Sequence, residues 1–308
     1  MKYIYPQYFE SFTCINKDCK HNCCIGWEID VDDETLDIYK SLDNDMAKRI
    51  LNNICFENDP HFILDENERC PFLNEQNLCE VYMNLGEECL GDICASHPRF
   101  FNEFSDRIEA GLGLCCEEAA RIILSDKSAF SFDGDEYKGE DEDFLLRSKV
   151  FKILQERDVP VKQRIENLFC EFEIENKPTD AQKEIEFLLS LERLDEQWTN
   201  RLNEALKLHK TADYDGFLKH IQPRMAEYEQ LLVYFIYRYF LTAENRESII
   251  KLCAFSFRII YMLGAVAFTV IKEFTTEDQV ELARLFSSEI EYSDENLQAV
   301  LDFLEKNY

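Results

Sequence analysis

Glycine is scarce in this chain, with nine in 308 residues. No G-x-G-x-G turn follows an apolar run, and GLG at 111–113 is too short to count, so a doubly wound nucleotide-binding fold of the usual kind is not indicated. Positive charge is scarce too: 33 Lys and Arg face 62 Asp and Glu, for a net charge of −29. A phosphate backbone demands a positive surface, so no nucleic-acid partner is expected. An acidic surface suits solubility or a lysine-bearing protein partner. The opening MKYIYPQYFE lacks the basic and then apolar pattern of a secretory leader. The expected compartment is therefore the cytoplasm, where thiols stay reduced. One stretch, LCAFSFRIIYMLGAVAFTVI at 252–271, approaches the ~20 apolar residues of a membrane span. Arg258 near its middle is costly in lipid, so a buried helix and no membrane partner are expected.

Cysteine, by contrast, is abundant, at thirteen residues. Four of them, Cys14, Cys19, Cys23 and Cys24, fall within FTCINKDCKHNCCIGWEID; Cys70 and Cys79 bound CPFLNEQNLC. Cys89 and Cys94 lie in CLGDICASHPRF, and Cys115 and Cys116 in GLGLCCEEAAR. In a reducing compartment clustered thiols read better as metal ligands than as disulfides. Thiolates select zinc, copper(I) or iron–sulfur clusters. Zinc ribbons usually supply two compact C-x2-4-C pairs. Here only Cys19 and Cys23 have such spacing, whereas an iron–sulfur cluster needs four ligands and tolerates scattered ones. Spacing alone thus points to a metal and leaves its identity open. Cys55, Cys170 and Cys253 fit buried, unliganded thiols.

The expected fold is mainly α. A cysteine-rich metal-binding domain with loops occupies 1–130, an acidic linker or loop 131–143, and an all-helical domain 144–308. The linker reading rests on FDGDEYKGEDED, which is nearly free of aliphatic side chains. The helical reading rests on apolar residues at alternating spacings of three and four. Examples are Met225, Tyr228, Leu232, Phe235 and Tyr239; Leu188, Leu191, Leu194 and Trp198; and Leu297, Val300, Leu301 and Leu304. In the first part, Leu36, Tyr39, Met46 and Ile50 share one helix face.

YPQYFESFTCINKDCKHNCCIGWEIDVDDETLDIYK, CPFLNEQNLCEVY, CASHPRF and GLGLCCEEAARIIL, in that order, resemble the flagellin lysine-N-methylases. That family shares its cysteine pattern with a broader group of zinc- or iron-chelating domains. The resemblance spans the first ~125 residues. It implies transfer of a methyl group from S-adenosylmethionine to lysine side chains of flagellin, with a cysteine-bound 4Fe-4S cluster, or zinc in its place. By position it carries the metal role to Cys14, Cys19, Cys23, Cys24, Cys70, Cys79, Cys94 and Cys116. The preferred ligands are among Cys19, Cys23, Cys70, Cys79 and Cys94. Two departures stand out: His97 where an aromatic is usual, and Cys115-Cys116-Glu117 in place of Ser-Cys-Pro. Cys89 has no counterpart.

Methylation of lysine is a nucleophilic displacement, so the amine must be neutral and in line with the sulfonium methyl. Aromatic walls stabilise both cations. Trp27, Tyr82 and the tyrosines of 234–239 are candidates, with core packing as the alternative; Asp30 and Asp32 are candidates to orient the lysine, with a loop or helix cap as the alternative. The radical-enzyme spacing C-x3-C-x2-C is absent, because Cys24 follows Cys23 directly. The rival reading is a non-catalytic iron- or zinc-binding protein for metal handling, electron transfer or partner docking.

Overall fold

A computed structural model describes residues 1–308 except 58 and 140. The chain opens with strand β1 (Lys2–Pro6). It continues through α1 (Asp33–Ser41), α2 (Asp45–Leu51), β2 (Ile54–Cys55), β3 (His61–Phe62), α3 (Glu80–Leu85) and α4 (Asp92–Ser96). Next come β4 (Arg99–Glu103), β5 (Arg107–Leu112), α5 (Glu117–Ser125), β6 (Phe132–Gly134) and α6 (Glu142–Leu154). The remainder is helical: α7 (Val161–Glu171), α8 (Ala181–Ser190), α9 (Glu196–Leu208), α10 (Tyr214–Ile221) and α11 (Met225–Tyr239), then α12 (Arg246–Ile271), α13 (Thr276–Phe286) and α14 (Asp294–Asn307). In all, 57% of the residues are helical and 9% are in strands, so the mainly α expectation holds.

The units differ from those expected. One compact unit is Thr13–Phe100; the other joins Met1–Phe12 to Phe101–Tyr308. The boundaries therefore do not fall within 131–143. The reason lies in backbone pairing: β1 pairs in parallel with β5 (Lys2 opposite Arg107, Ile4 opposite Glu109) and antiparallel with β6 (Ile4 opposite Gly134). The sheet order is β4-β5-β1-β6. The acidic stretch thus supplies an edge strand rather than a linker. It also supplies Tyr137, whose hydroxyl accepts from Arg107 Nη1 (2.8 Å), and Asp141, which caps α6 through Phe144 N–H (2.8 Å). Its position 140 lies outside the described residues.

Two expected apolar stripes are each divided between helices. Asn44 accepts from Ala47 N–H (2.8 Å) and starts α2, separating Met46 and Ile50 from Leu36 and Tyr39 on α1. Asp195 starts α9, separating Trp198 from Leu188 on α8; Leu194 between them is 49% exposed. Side chains that hydrogen-bond the backbone locally compete with helix continuation, and both sites use one. The stripe from Met225 to Tyr239 is a single helix, buried almost all round from Glu227 to Tyr237. The apolar 252–271 stretch lies in α12. By length and composition α12 is long and apolar enough to cross a membrane, and 72% of its apolar window is buried within the protein. Arg258 there pairs with Glu184 of α8.

The larger unit is knit by a buried charge. Glu109 on β5 is fully buried and accepts from Arg107 Nε (2.6 Å) and from Arg147 Nη1 and Nη2 on α6 (2.6 and 2.9 Å). The Arg147 guanidinium lies 5.2–5.6 Å from the ring centres of Phe132, Phe144, Phe151 and Tyr237. Glu109→Gln removes the one carboxylate that two buried guanidiniums share. Breaking such a pair from one side costs about 3–5 kcal/mol, a large part of the ~5–15 kcal/mol stability of a typical domain. Urea unfolding should show a loss of that size; a loss under ~1 kcal/mol would mean that Arg107 and Arg147 find other partners.

Candidate functional site

In the unit Thr13–Phe100 the thiols lie on loops and at short helix starts. Cys24 and Cys70 are joined by their backbones, Cys70 N–H donating to Cys24 C=O (2.8 Å). Leu73 and Cys79 form an antiparallel bridge, and Cys79 then caps α3. Cys94 sits in α4. This brings the thiols within reach of one another's charge. Hydrogen bonding between the adjacent thiols lowers the Cys23 pKa and raises that of Cys24, whose rise burial and then Cys70 and Cys94 reinforce. Burial, opposed by a hydrogen bond from Phe72 N–H and helped by Cys79 and Cys23, pushes Cys70 up to about 11. Burial and then Cys70, Cys79 and Cys23 push Cys94 up to about 12.

Of the eight expected ligands, the structure therefore brings together Cys23, Cys24, Cys70, Cys79 and Cys94. Cys14 is exposed, its sulfur accepting from Asn16 N–H (3.4 Å), and Cys19 donates to His21 C=O (3.2 Å). Cys116 caps α5 in the other unit. Among the described residues no three His, Cys, Asp or Glu side chains are arranged to hold a metal ion. The five thiols lie within electrostatic reach of one another and, among the described residues, do not form a closed ligand shell. Cys89 is buried, and its carbonyl accepts from Tyr39 OH (2.8 Å).

Beside the vicinal pair, Trp27 donates its indole N–H to Cys23 C=O and meets the His97 ring edge-on, 5.2 Å between centres. Burial pushes His97 down to about 4, so it is a neutral imidazole at neutral pH. Trp27, Gly26, Cys55 and His61 line a cavity of about 510 Å³. Tyr82 is 54% exposed and builds no wall of the core. Asp32 is a cap: it accepts from Thr35 N–H (2.8 Å) and Asp92 N–H (2.9 Å), tying α1 to α4. Asp30 is exposed and bridges His61 through its backbone.

The larger unit holds a second polar constellation, which sequence reasoning only grazed through the tyrosines of 234–239. Tyr234 and Tyr239 of α11 donate to Glu291 Oε1 (2.9 and 2.8 Å). Arg238 Nη1 donates to Tyr234 OH (2.7 Å) and lies 3.4 Å from the same carboxylate oxygen. The Arg238 guanidinium stands over the Tyr239 and Tyr292 rings at 5.2 and 5.3 Å. Glu291 closes a π-helical turn, Ser287–Glu291, a rare element that often marks functional sites. Its Oε2 is buried without a hydrogen-bond partner among the described residues. Burial holds the Tyr234, Tyr239 and Tyr292 phenols well above their ordinary pKa. A separate cavity of about 940 Å³ lies at the other end of α11, lined by Met225, Tyr214, Phe257, Arg258 and Tyr261. Met225 and Tyr239 are separated by roughly 20 Å of helix, so the cavity and the Glu291 network are distinct features.

Residues 171–308, which contain most of this network, match the family model described as the FliB lysine N-methylase C-terminal domain. Over these residues the chain is similar to the lysine N-methylases of that family. It is 26% identical over 172 residues to the lysine-N-methylases of Salmonella typhimurium and Salmonella choleraesuis, covering 54% of this chain. It is 29% identical over 133 residues to the flagellar biosynthetic protein FliU of Salmonella muenchen, covering 41% of this chain and 79% of that protein. The chain spans 40% of the length of the two lysine-N-methylases. No solved structure matches. The family model falls on the helical half, which the cysteine motifs do not cover.

The proximity of the thiols is testable without any activity. Phenylarsine oxide, which needs two neighbouring thiols, should bind the metal-free chain. Peptide mapping should place an adduct among Cys23, Cys24, Cys70, Cys79 and Cys94; that adduct should be lost when all five are replaced by serine, and kept in Cys253→Ser, whose thiol donates to Leu232 C=O far from the other cysteines in sequence. Failure to form an adduct at those positions in the unsubstituted chain would separate the sulfurs.

Proposed function

We propose that this chain is a protein-lysine N-methyltransferase that moves a methyl group from S-adenosylmethionine to lysine side chains of flagellin. The observation that carries the reading is the match of residues 171–308 to the FliB lysine N-methylase C-terminal domain. The names of the relatives, lysine-N-methylase and a flagellar biosynthetic protein, support both the reaction and flagellin as substrate. The chain's −29 net charge is complementary to a lysine-bearing partner, so association should weaken as salt rises.

The chemistry asks three things of the protein: strip water from the ammonium, take its proton, and hold the amine in line with the sulfonium carbon. Buried phenols and a buried carboxylate are suitable means, and the larger unit contains both.

The second part of the proposal is an iron–sulfur cluster held by the smaller unit, with ligands drawn from Cys23, Cys24, Cys70, Cys79 and Cys94. The soft-donor chemistry of these five thiols suits such a group; among the described residues no three are already arranged as a ligand shell, so binding would have to draw their loop segments together. When bound, the cluster supplies a cross-link between loop segments and an electron-transfer centre. Zinc would supply the cross-link alone. Thiols needed in the reduced state suit the cytoplasm.

The test incubates the anaerobically reconstituted chain with S-adenosylmethionine and the flagellin of the same organism. Mass spectrometry should find lysines carrying added methyl units, and metal analysis should find iron and sulfide in near-equal amounts. Cys70→Ser should lose both the metal and the methylation, and Cys253→Ser neither. Stoichiometric zinc without iron would remove the cluster from the proposal. Metal-replete protein that neither methylates flagellin nor binds the donor would leave a non-catalytic metal-binding role.

A further inference from the structure

We infer that Glu291 Oε2, with the phenols of Tyr234 and Tyr239 and the guanidinium of Arg238, receives the ε-amino group of the substrate lysine and takes its proton. The inference deepens the methyltransferase reading and rests on it for the identity of the substrate.

The first observation is an imbalance within one carboxylate. Glu291 Oε1 accepts two phenol hydrogens and faces Arg238, while Oε2 accepts none among the described residues, though the residue is only 5% exposed. A buried carboxylate oxygen left without a donor is costly, and such atoms persist where a ligand completes them. The missing donor should be an N–H or O–H, and a cation is favoured by the charge of the carboxylate.

The second observation is the surroundings. Arg238, Tyr239 and Tyr292 are partly exposed, while Tyr234 and Glu291 are buried. Aromatic faces already hold one cation, the Arg238 guanidinium, over Tyr239 and Tyr292. An alkylammonium arriving at Oε2 meets the same carboxylate with Arg238 as its neighbour. Like charge from Arg238 and desolvation lower an ammonium pKa, and the opposing carboxylate is the group placed to accept its proton. The charged and titratable groups facing Glu291 are Tyr234, Arg238 and Tyr239 from α11, with Tyr292 next in the chain and Cys115 hydrogen-bonded to Tyr292.

Protons and electrons balance in the transfer. The lysine ammonium passes one proton to Glu291, giving a neutral amine and a carboxylic acid. The amine lone pair forms a bond to the methyl carbon of a sulfonium donor, and the S–C bond breaks with its electron pair left on sulfur as a neutral thioether. The methylated product is again a cation, and the Glu291 proton leaves to water.

The test uses the full chain with its metal content measured. n-Butylammonium, the lysine side chain without its backbone, is titrated while tyrosine NMR shifts are followed. The wild type should bind it and Glu291→Gln should bind at least tenfold more weakly, since a charge-assisted hydrogen bond of about 1.5–3 kcal/mol corresponds to roughly 10- to 100-fold. In methylation of flagellin, Glu291→Gln should lower kcat at least 100-fold at pH 7, with Glu291→Asp partly restoring it. The residual rate should rise with pH as solvent removes the lysine proton instead, a response that mere loss of folding would not produce. If Glu291→Gln unfolds because Arg238 loses its counter-charge, the double variant Glu291→Gln/Arg238→Gln removes both charges and serves in its place. Folded variant protein that binds n-butylammonium and methylates within twofold of wild type overturns the inference. If the wild type fails to methylate any lysine but binds n-butylammonium through Glu291, the site stands and the methyltransferase reading falls. If the wild type does not bind the amine, the site falls.

Discussion

The larger unit depends on Glu109. A carboxylate with no exposure to water survives only because Arg107 and Arg147 together offer it three donors at hydrogen-bond distance. The contact joins a strand to a helix. Arg147 is also enclosed by Phe132, Phe144, Phe151 and Tyr237, so the same guanidinium draws in the edge strand β6, the helix α6 and the central helix α11. Tyr237 in turn donates to Ala110 C=O on β5 (2.6 Å). Less than two turns of α11 thus hold Tyr237 against the sheet and present Tyr234 and Tyr239 to Glu291. The charge that builds the core and the phenols that build the polar network are set by the same helix.

The two candidate sites obey different physical logic. The thiol group is assembled from short loops: a bridge between Ile25 and Arg69, a hydrogen bond from Cys70 to Cys24, and a bridge between Leu73 and Cys79. Such backbone pairings bring sulfurs from distant sequence positions together while leaving each on a segment able to adjust to a ligand. The Glu291 network is the opposite case, carried on long helices whose packing fixes each side chain. Glu291 closes a π-helical turn and its carboxylate accepts from Tyr234 and Tyr239 of α11. Around Glu291, burial and the Arg238 charge favour a neutral amine, while the carboxylate opposes them and offers the proton an acceptor.

The resemblance read from the cysteine motifs and the family match fall on different parts of the chain. The motifs lie within the first ~125 residues, and the family model covers 171–308. Agreement from two non-overlapping stretches is stronger than either alone, because neither borrows its signal from the other.

Composition and local pattern determined a good deal: the helical character of the second half, the burial of the 252–271 stretch, and the thiols as a group apart. These are properties of neighbours in sequence, set by periodicity, side-chain polarity and spacing. The two broken stripes were not legible, since Asn44 and Asp195 look like any polar residue until their side chains are seen capping a helix start. Nor was the role of the acidic 131–143 stretch, because strand pairing with β1 is a contact across more than a hundred residues. The preferred ligand group was already legible apart from one exchange, Cys24 in place of Cys19, whereas only tertiary structure could single out Glu291 from 62 acidic residues. The physical reason is the same in each case: burial and charge reach depend on distance in space, and the chain encodes that distance only through the packing of all its elements at once.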